Sequence, residues 1–444
     1  PYRRQRQMCI RDRSKFAKDH RYAFFPSVSA AWRISEENFW QPLKGWWNDM
    51  KIRGSYGSLG NQVMDDLGNF PYLATYGTNS SYNYLINGSK PVIVKAPGLV
   101  APDFTWETVT QMDFGFDASF LNNRLTGTFD WYRRNTKDML VAGATLPATL
   151  GASVPKSNSA DMKTIGWELS LGWNDRLENG FSYWVKGVLS DYQATITKYA
   201  GNDAGFYSQS DGDGKYYVGQ KIGEIWGYHS NGLFQSDDEA ATIDQSELYA
   251  GKWGAGDVKY EDLDNDGKIT KGDETIYNPG DKSIIGNKTP RYQFGITVGF
   301  DYKNFDFEMF WQGTGKRDYM LSGAQFWGFT SQWDVPYTPA LDYWTETNTD
   351  AYFPRPGWQN GGNRVTSDRY LQSAAYGRLK NLTVGYTIPK NLTTKWGISR
   401  LRLYVTGENL LTITPLNDAF DPETLGGMTY PINRKVAIGL NLTL

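Results

Sequence analysis

The sequence predicts an all-β chain: the C-terminal half, about eleven antiparallel strands, of a 22-stranded transmembrane β-barrel with long extracellular loops. Three observations lead there. Apolar residues recur at every second position along many segments, the last of which reaches residue 444. Aromatic side chains crowd the apolar positions, while acids, amides and glycine fill the alternate ones. Connections alternate between short turns and long loops.

The terminal segment is the clearest. Val436, Ile438, Leu440, Leu442 and Leu444 alternate with Ala437, Gly439, Asn441 and Thr443. Such spacing makes a strand with one apolar and one small or polar face. Met112, Phe114, Phe116, Ala118 and Phe120 alternate with Asp113, Gly115, Asp117 and Ser119 in the same way. After an LNNR turn the pattern resumes at Leu125, Gly127, Phe129 and Trp131, and again from Ile165 to Trp173. It returns from Tyr292 to Phe300, Phe305 to Trp311, Leu382 to Ile388 and Leu401 to Val405. Strands are expected near 21–34, 49–58, 105–120, 123–139, 161–174, 180–197, 290–302, 304–314, 370–388, 400–413 and 432–444. A two-sheet sandwich also alternates. Aromatic weight on one face and acids on the other favour lipid outside and a wet lumen inside.

Composition narrows the function classes. Aromatics make up 15% of the chain, with 17 Trp and 29 Tyr, which suits interfacial girdles and also carbohydrate binding. No apolar run approaches the roughly 18 residues of a membrane helix. Lys and Arg total 46 against 48 Asp and Glu, so no basic field for nucleic acid exists. Cys9 is the single cysteine and His20 and His229 the two histidines, which excludes a disulfide framework and argues against a thiolate or histidine zinc site. Lumen-side acids such as Asp113, Asp117, Asp130, Asp306 and Glu308 are candidates to meet substrate, with basic groups of a plug or plain hydration as the favoured reading. No Ser/His/Asp set or nucleotide loop stands out at a meaningful spacing.

The connections carry topology. The short ones are LNNR, Asp175–Gly180, Tyr302–Phe305 and Pro389–Ser399, joined by parity by Ser35–Asn48. The long ones are roughly 59–104, 140–160, 198–289, 315–369 and 414–431. Counting back from a periplasmic C-terminus, every long segment falls outside, as in barrels with short periplasmic turns. Residues 1–20, containing RRQRQMCIRDR, read as a foreign or disordered stretch of sequence-junction character. Residues 21–444 form the barrel portion.

One motif has ion-site spacing. In DLDNDGKITKGDE, Asp262, Asp264 and Asp266 occupy positions 1, 3 and 5 of an EF-hand-like loop, and Gly267 sits at the sharp turn. The Lys268 carbonyl and Asp273, at positions 7 and 12, complete the candidate set. A structural Ca2+ in an external loop is one reading, and a polar turn closed by its own side chains is the other. The nearby Ser210–Lys215 reads as a turn only. A second constellation, residues 326–358, is rich in aromatics among amides and charges. Most of these rings are expected to pack the loop on itself. Trp327, Trp333 and Trp358 are the candidates for ligand or partner contact.

Several long motifs, in order, carry a family resemblance. Pro26–Trp40, Lys51–Gln62, Val218–Ser236, Gly256–Thr270 and Tyr376–Thr412 resemble SusC/RagA-type TonB-linked outer-membrane proteins of the Bacteroidota. The resemblance runs from about Arg21 to Leu444. It implies an outer-membrane importer that pairs with a SusD-like surface lipoprotein and takes up a glycan, oligosaccharide or peptide. It further implies a TonB complex acting through a plug and N-terminal half that would lie upstream. No covalent chemistry is implied. The chain departs from the pattern in ending on Leu444 instead of an aromatic. Two other readings are a passive porin-like barrel and a secreted, aromatic-rich glycan-binding or hydrolytic β-protein.

Overall fold

The computed structural model describes residues 3–12, 15–61, 70–79, 85–86, 88–90, 92–95, 97–101, 105–142, 147, 149, 155–199, 216–425 and 430–444. Twelve strands form one sheet in which each strand pairs antiparallel with the next. They are β1 (Arg3–Asp12), β2 (Tyr22–Arg33), β3 (Trp47–Asn61), β4 (Glu107–Phe120), β5 (Leu125–Ala142) and β6 (Lys156–Arg176). They continue as β7 (Ser182–Tyr199), β8 (Arg291–Tyr302), β9 (Phe305–Lys316), β10 (Tyr376–Thr387), β11 (Arg400–Ile413) and β12 (Lys435–Thr443). Eleven match the expected segments. The twelfth, β1, falls in the stretch read as foreign, and its backbone pairs with β2 from Arg3↔Ala31 to Asp12↔Tyr22. Ser210–Lys215 lies outside the described residues. Among those residues no helix is long and apolar enough to cross a membrane.

Register keeps the two faces separate from β2 to β12, because antiparallel partners share a face. On one face Ile52, Phe116 and Phe129 lie in line, as do Trp131 and Trp167, Ile296 and Trp311, or Val384, Val405 and Ile438. Phe114, Leu171, Val384 and Val405 on this face are exposed, without any protein layer over them. The other face carries Lys51, Arg53, Asp113, Asp117, Asp130, Glu168, Asp306 and Arg402. A sheet built this way suits lipid on one side and water on the other. The short turns gather at one end. In the tightest, Leu121, Asn122 and Asn123 all adopt positive φ (55°, 58° and 64°). Asparagine tolerates that conformation better than most residues.

Three of the polar-face acids, Asp117, Asp130 and Asp306, find partners within the sheet, where basic groups of a plug or water were expected. Arg53 Nε donates to Asp117 Oδ2 at 3.2 Å, and its Nη2 donates to Asp130 Oδ2 at 2.8 Å. Asp130 is two strands away. The reach is open because Gly115 stands between them, and a Cβ there would collide with the Asp130 carboxylate and the Arg53 guanidinium. The same device recurs at the far side, where Arg402 Nε donates to Asp306 at 2.9 Å across Gly385.

The buried core lies in the long loops. Residues 216–290, 317–375 and 414–425 fold together around Tyr228, Val258, Tyr260, Ile269, Phe326, Phe353 and Tyr370. Three short ladders brace this cap, pairing Glu224–Tyr228 with Lys282–Asn287, Ser230–Leu233 with Val258–Tyr260, and Asp318–Met320 with Leu371–Ser373. Asp257, fully buried, is its polar hub. It accepts from Arg355 Nη2 at 2.8 Å, Asn363 Nδ2 at 2.8 Å and the Gly254 N–H at 2.9 Å.

Removing the cross-strand cation should weaken the sheet. Arg53→Ala and Gly115→Ala are each expected to lower the stability of the full-length protein by about 2 kcal/mol, through loss of charge-assisted bonds. Lys51→Ala, at a half-exposed pair 3.5 Å from Asp117, should cost under about 1 kcal/mol. Urea unfolding followed by tryptophan fluorescence separates the three.

Candidate functional site

The acidic loop 262–281 sits on the cap and is anchored at its centre. Ile269 is fully buried in the cap core, and Asp244 pairs with Lys268 in a parallel bridge. Asp262 Oδ2 accepts the Gly267 N–H at 2.7 Å, and its Oδ1 accepts the Asn265 N–H at 2.7 Å. Asn265 and Gly267 take positive φ (62° and 83°), which aims these N–H groups at the carboxylate. Burial pushes the Asp262 carboxyl up, but the N–H groups of Gly267, Asn265 and Asp266 outweigh it and hold the group below the usual range. Burial and the charge of Asp266 push Asp264 the other way.

The carboxylates that meet are Asp262, Asp264 and Asp281, whose oxygens lie within 4.8 Å of one another, a grouping able to hold a metal ion. The expected set differed. Asp266 turns to the Lys268 N–H at 2.8 Å, and Asp273 accepts from Asn278 Nδ2 at 2.9 Å. The reason is a chain reversal after position 10. Gly272 and Gly280, both at positive φ, approach so closely that a Cβ on either would strike the other's backbone. The reversal carries Asp273 out on a side hairpin and returns Asp281 to the loop. Asp281, fully buried, accepts from Leu263 N at 2.8 Å and Thr270 N at 2.7 Å. The separation of nineteen positions between Asp262 and Asp281 hides this partner from any spacing rule.

The three candidate tryptophans part company. Trp327 belongs to the cap core, packed edge-on against Tyr370 at 4.6 Å and Phe326 at 5.0 Å. Trp333 is 84% exposed and Trp358 46% exposed. Trp333 rides on a tight turn in which the Asp334 carboxylate accepts the Thr330 and Ser331 N–H groups at 2.8 and 2.7 Å. Trp344 packs against the cap core, with its ring over Gly256.

A Ser/His/Asp line does form, although no sequence spacing shows it. His229 Nδ1 lies 2.7 Å from Asp368 Oδ2, and its Nε2 lies 2.7 Å from Ser283 Oγ. Asp368 Oδ1 also accepts the Ser230 N–H at 2.9 Å, and the His229 carbonyl accepts the Glu261 N–H at 2.9 Å. The line therefore straps four cap segments together. At the loop end of the polar face, an open groove is lined by Ser29, Ser55, Asn61, Glu107, Gln111 and Arg134 together with the apolar Leu59, Val109, Met139 and Met162.

Asp281→Ala should strip two N–H groups of their acceptor and cost about 1–3 kcal/mol, while Asp273→Ala should stay within about 0.5 kcal/mol. Hydrogen exchange at Leu263 and Thr270 reads the first. Since the folded pKa of Asp262 is depressed, its contribution is present above the unfolded value of about 3.9 and lost as pH falls through the folded value. Protection of the Gly267 N–H should accordingly hold at about pH 5–7 and vanish near pH 2.

Comparison with known proteins agrees with this architecture. The family described as "TonB dependent receptor-like, beta-barrel" matches residues 10–410. TonB-dependent receptor P3 of Formosa agariphila is 30% identical over 97% of this chain and 42% of its own length. TonB-dependent receptor SusC of Bacteroides thetaiotaomicron is 27% identical over 97% of this chain and 41% of its own. The fold matches the RagAB peptide importer in its closed-closed state, with a TM-score of 0.77 at 22% identity over 99% of this chain and 46% of that one. The chain thus spans less than half the length of these relatives. Receptors of this family lie in the outer membrane and are not enzymes. The chain belongs to the TonB-dependent receptor family, as a SusC/RagA-like outer-membrane β-barrel protein.

Proposed function

We infer that this chain is the C-terminal half of a 22-stranded barrel whose whole protein imports a glycan, oligosaccharide or peptide with TonB-supplied energy. The observation that carries the reading is the two-faced sheet: a continuous apolar exterior, a charged interior, and loops condensed into a cap at one end. The length of the relatives supports further strands, a plug and a TonB box upstream. A secreted β-protein would leave the aromatic face in water, which the exposed Phe114 and Leu171 make unfavourable. The groove's mixture of hydroxyl, amide and apolar side chains suits a sugar or a peptide. A SusD-like lipoprotein is the partner that would close over the cap, with Trp333 and Trp358 as contacts for it or for the ligand.

Residues 1–20 we read as foreign to the barrel. The family match begins at residue 10, which leaves residues 1–9 outside it. For the acidic loop we assign Ca2+, since three carboxylates offer the hard oxygen ligands that this ion takes.

Three tests follow. Genomic sequence upstream of Arg21 should continue into a plug and TonB box beside a SusD-like gene. In cells carrying the whole gene, a protonophore should abolish uptake of a fluorescent oligosaccharide or peptide, whereas uptake unchanged by it indicates a passive barrel. Ca2+ at about 1 mM should slow exchange at Gly267 in the parent protein but not in Asp264→Asn.

A further inference from the structure

We propose that the outward face of β5 and β6 binds the phosphate of a lipid headgroup through Arg133 and Lys163. The proposal rests on the outward assignment of the apolar face and not on the import reading. Trp131 and Trp167 are direct partners on that face, and its apolar run ends one row nearer the cap, where Met112 and Ile165 flank Arg133. One step further, Arg133 stands opposite Ile165, and one step beyond that Lys163 stands opposite Asn135. The two residues are therefore diagonal neighbours on adjacent strands, with backbone positions about 7–8 Å apart, from which both long side chains can reach one phosphate. Arg133 Nε donates to Asn135 Oδ1 at 3.3 Å, which holds the guanidinium on this face.

The surroundings leave this charge uncompensated. Asp161 points its carboxylate at the Asp138 N–H, 2.9 Å away, and Asp191 is taken by Arg291, whose Nη2 donates at 2.6 Å. Among the described residues neither Arg133 nor Lys163 has a carboxylate partner. Lys198, paired in register with Asp161, adds a further exposed cation beside them. Aromatic rings at the apolar boundary followed at once by unpaired cations match the order of chemistry in a bilayer leaflet, from acyl chain through interface to phosphate. The guanidinium fork and the ammonium point charge are complementary ways of holding such a group. Continuity with the lipid face makes the lipid, and not free phosphate, the occupant.

The test uses the full-length receptor in detergent, with dioctanoyl phosphatidic acid as probe and native mass spectrometry as readout. Each cation near a membrane surface contributes about fivefold, so the double variant R133Q/K163Q should bind the probe about 25-fold more weakly. Lys186→Gln, on the polar face, should bind as the parent does. Dioctanoyl phosphatidylcholine should be retained equally by all three, and millimolar inorganic phosphate should not displace the acidic lipid. In the parent protein itself, raising salt to about 0.5 M should release the probe, a reading that needs no variant to fold. Equal retention by parent and double variant, indifference to salt, or displacement by inorganic phosphate would each overturn the proposal.

Discussion

The pleat of a β-strand sends successive side chains to opposite sides, and everything else in this protein depends on that alternation being kept across twelve paired strands. A slip of one residue between any two neighbours would carry Phe116 or Trp167 into the interior and Asp117 or Glu168 into lipid. The observed registers keep the alternation on both sides of each irregularity, including those at Phe310–Trp311 and Leu379–Asn381 on the membrane-facing stretch, where one extra residue restores the face. The shift near Asp161 and those near Met139 lie toward the loop ends of their strands, beyond the Trp131–Trp167 pair. Backbone hydrogen bonding in lipid admits no edge without a partner, so register here is both a packing rule and a solvation rule.

The interior charges add a second, stiffer restraint. Arg53 grips carboxylates on β4 and β5 together, and Arg402 reaches Asp306 across an intervening strand. Both depend on a glycine in the strand that is bridged. Glycine in a strand ordinarily weakens it. Here Gly115 and Gly385 exchange that loss for an ion pair that ties three strands at once. The cap obeys different physics, since its apolar residues are buried in the ordinary way and its polar hub, Asp257, is enclosed and fully hydrogen-bonded.

Legibility in the sequence followed the range of the interaction. The strands were readable because alternation is local, and parity placed the loops because turn length is local. The motif from Asp262 to Gly267 was readable for the same reason, and its Asx turns have the expected form. Asp281 was not, since its arrival depends on two glycines meeting across a reversal. Trp327 could not be told from Trp333 by type or spacing, because burial of one and exposure of the other is decided by contacts with Tyr370 and Phe353. The Ser283–His229–Asp368 strap joins residues too far apart for any pattern to couple them. The pairing of acids with Arg53 and Arg402 was hidden because register had first to be known.

Three successive loops share one apolar core in the cap, and this changes how the protein can vary over evolutionary time. Loops that stand alone tolerate insertion and deletion freely. Here a change of length in 216–290 alters the packing of 317–375 and 414–425 as well, since Tyr260, Phe326 and Phe420 occupy the same cluster. Single-residue substitutions at rim positions such as Tyr277, Trp333 and Val335 leave that packing untouched, since these side chains are exposed and lie outside the shared core.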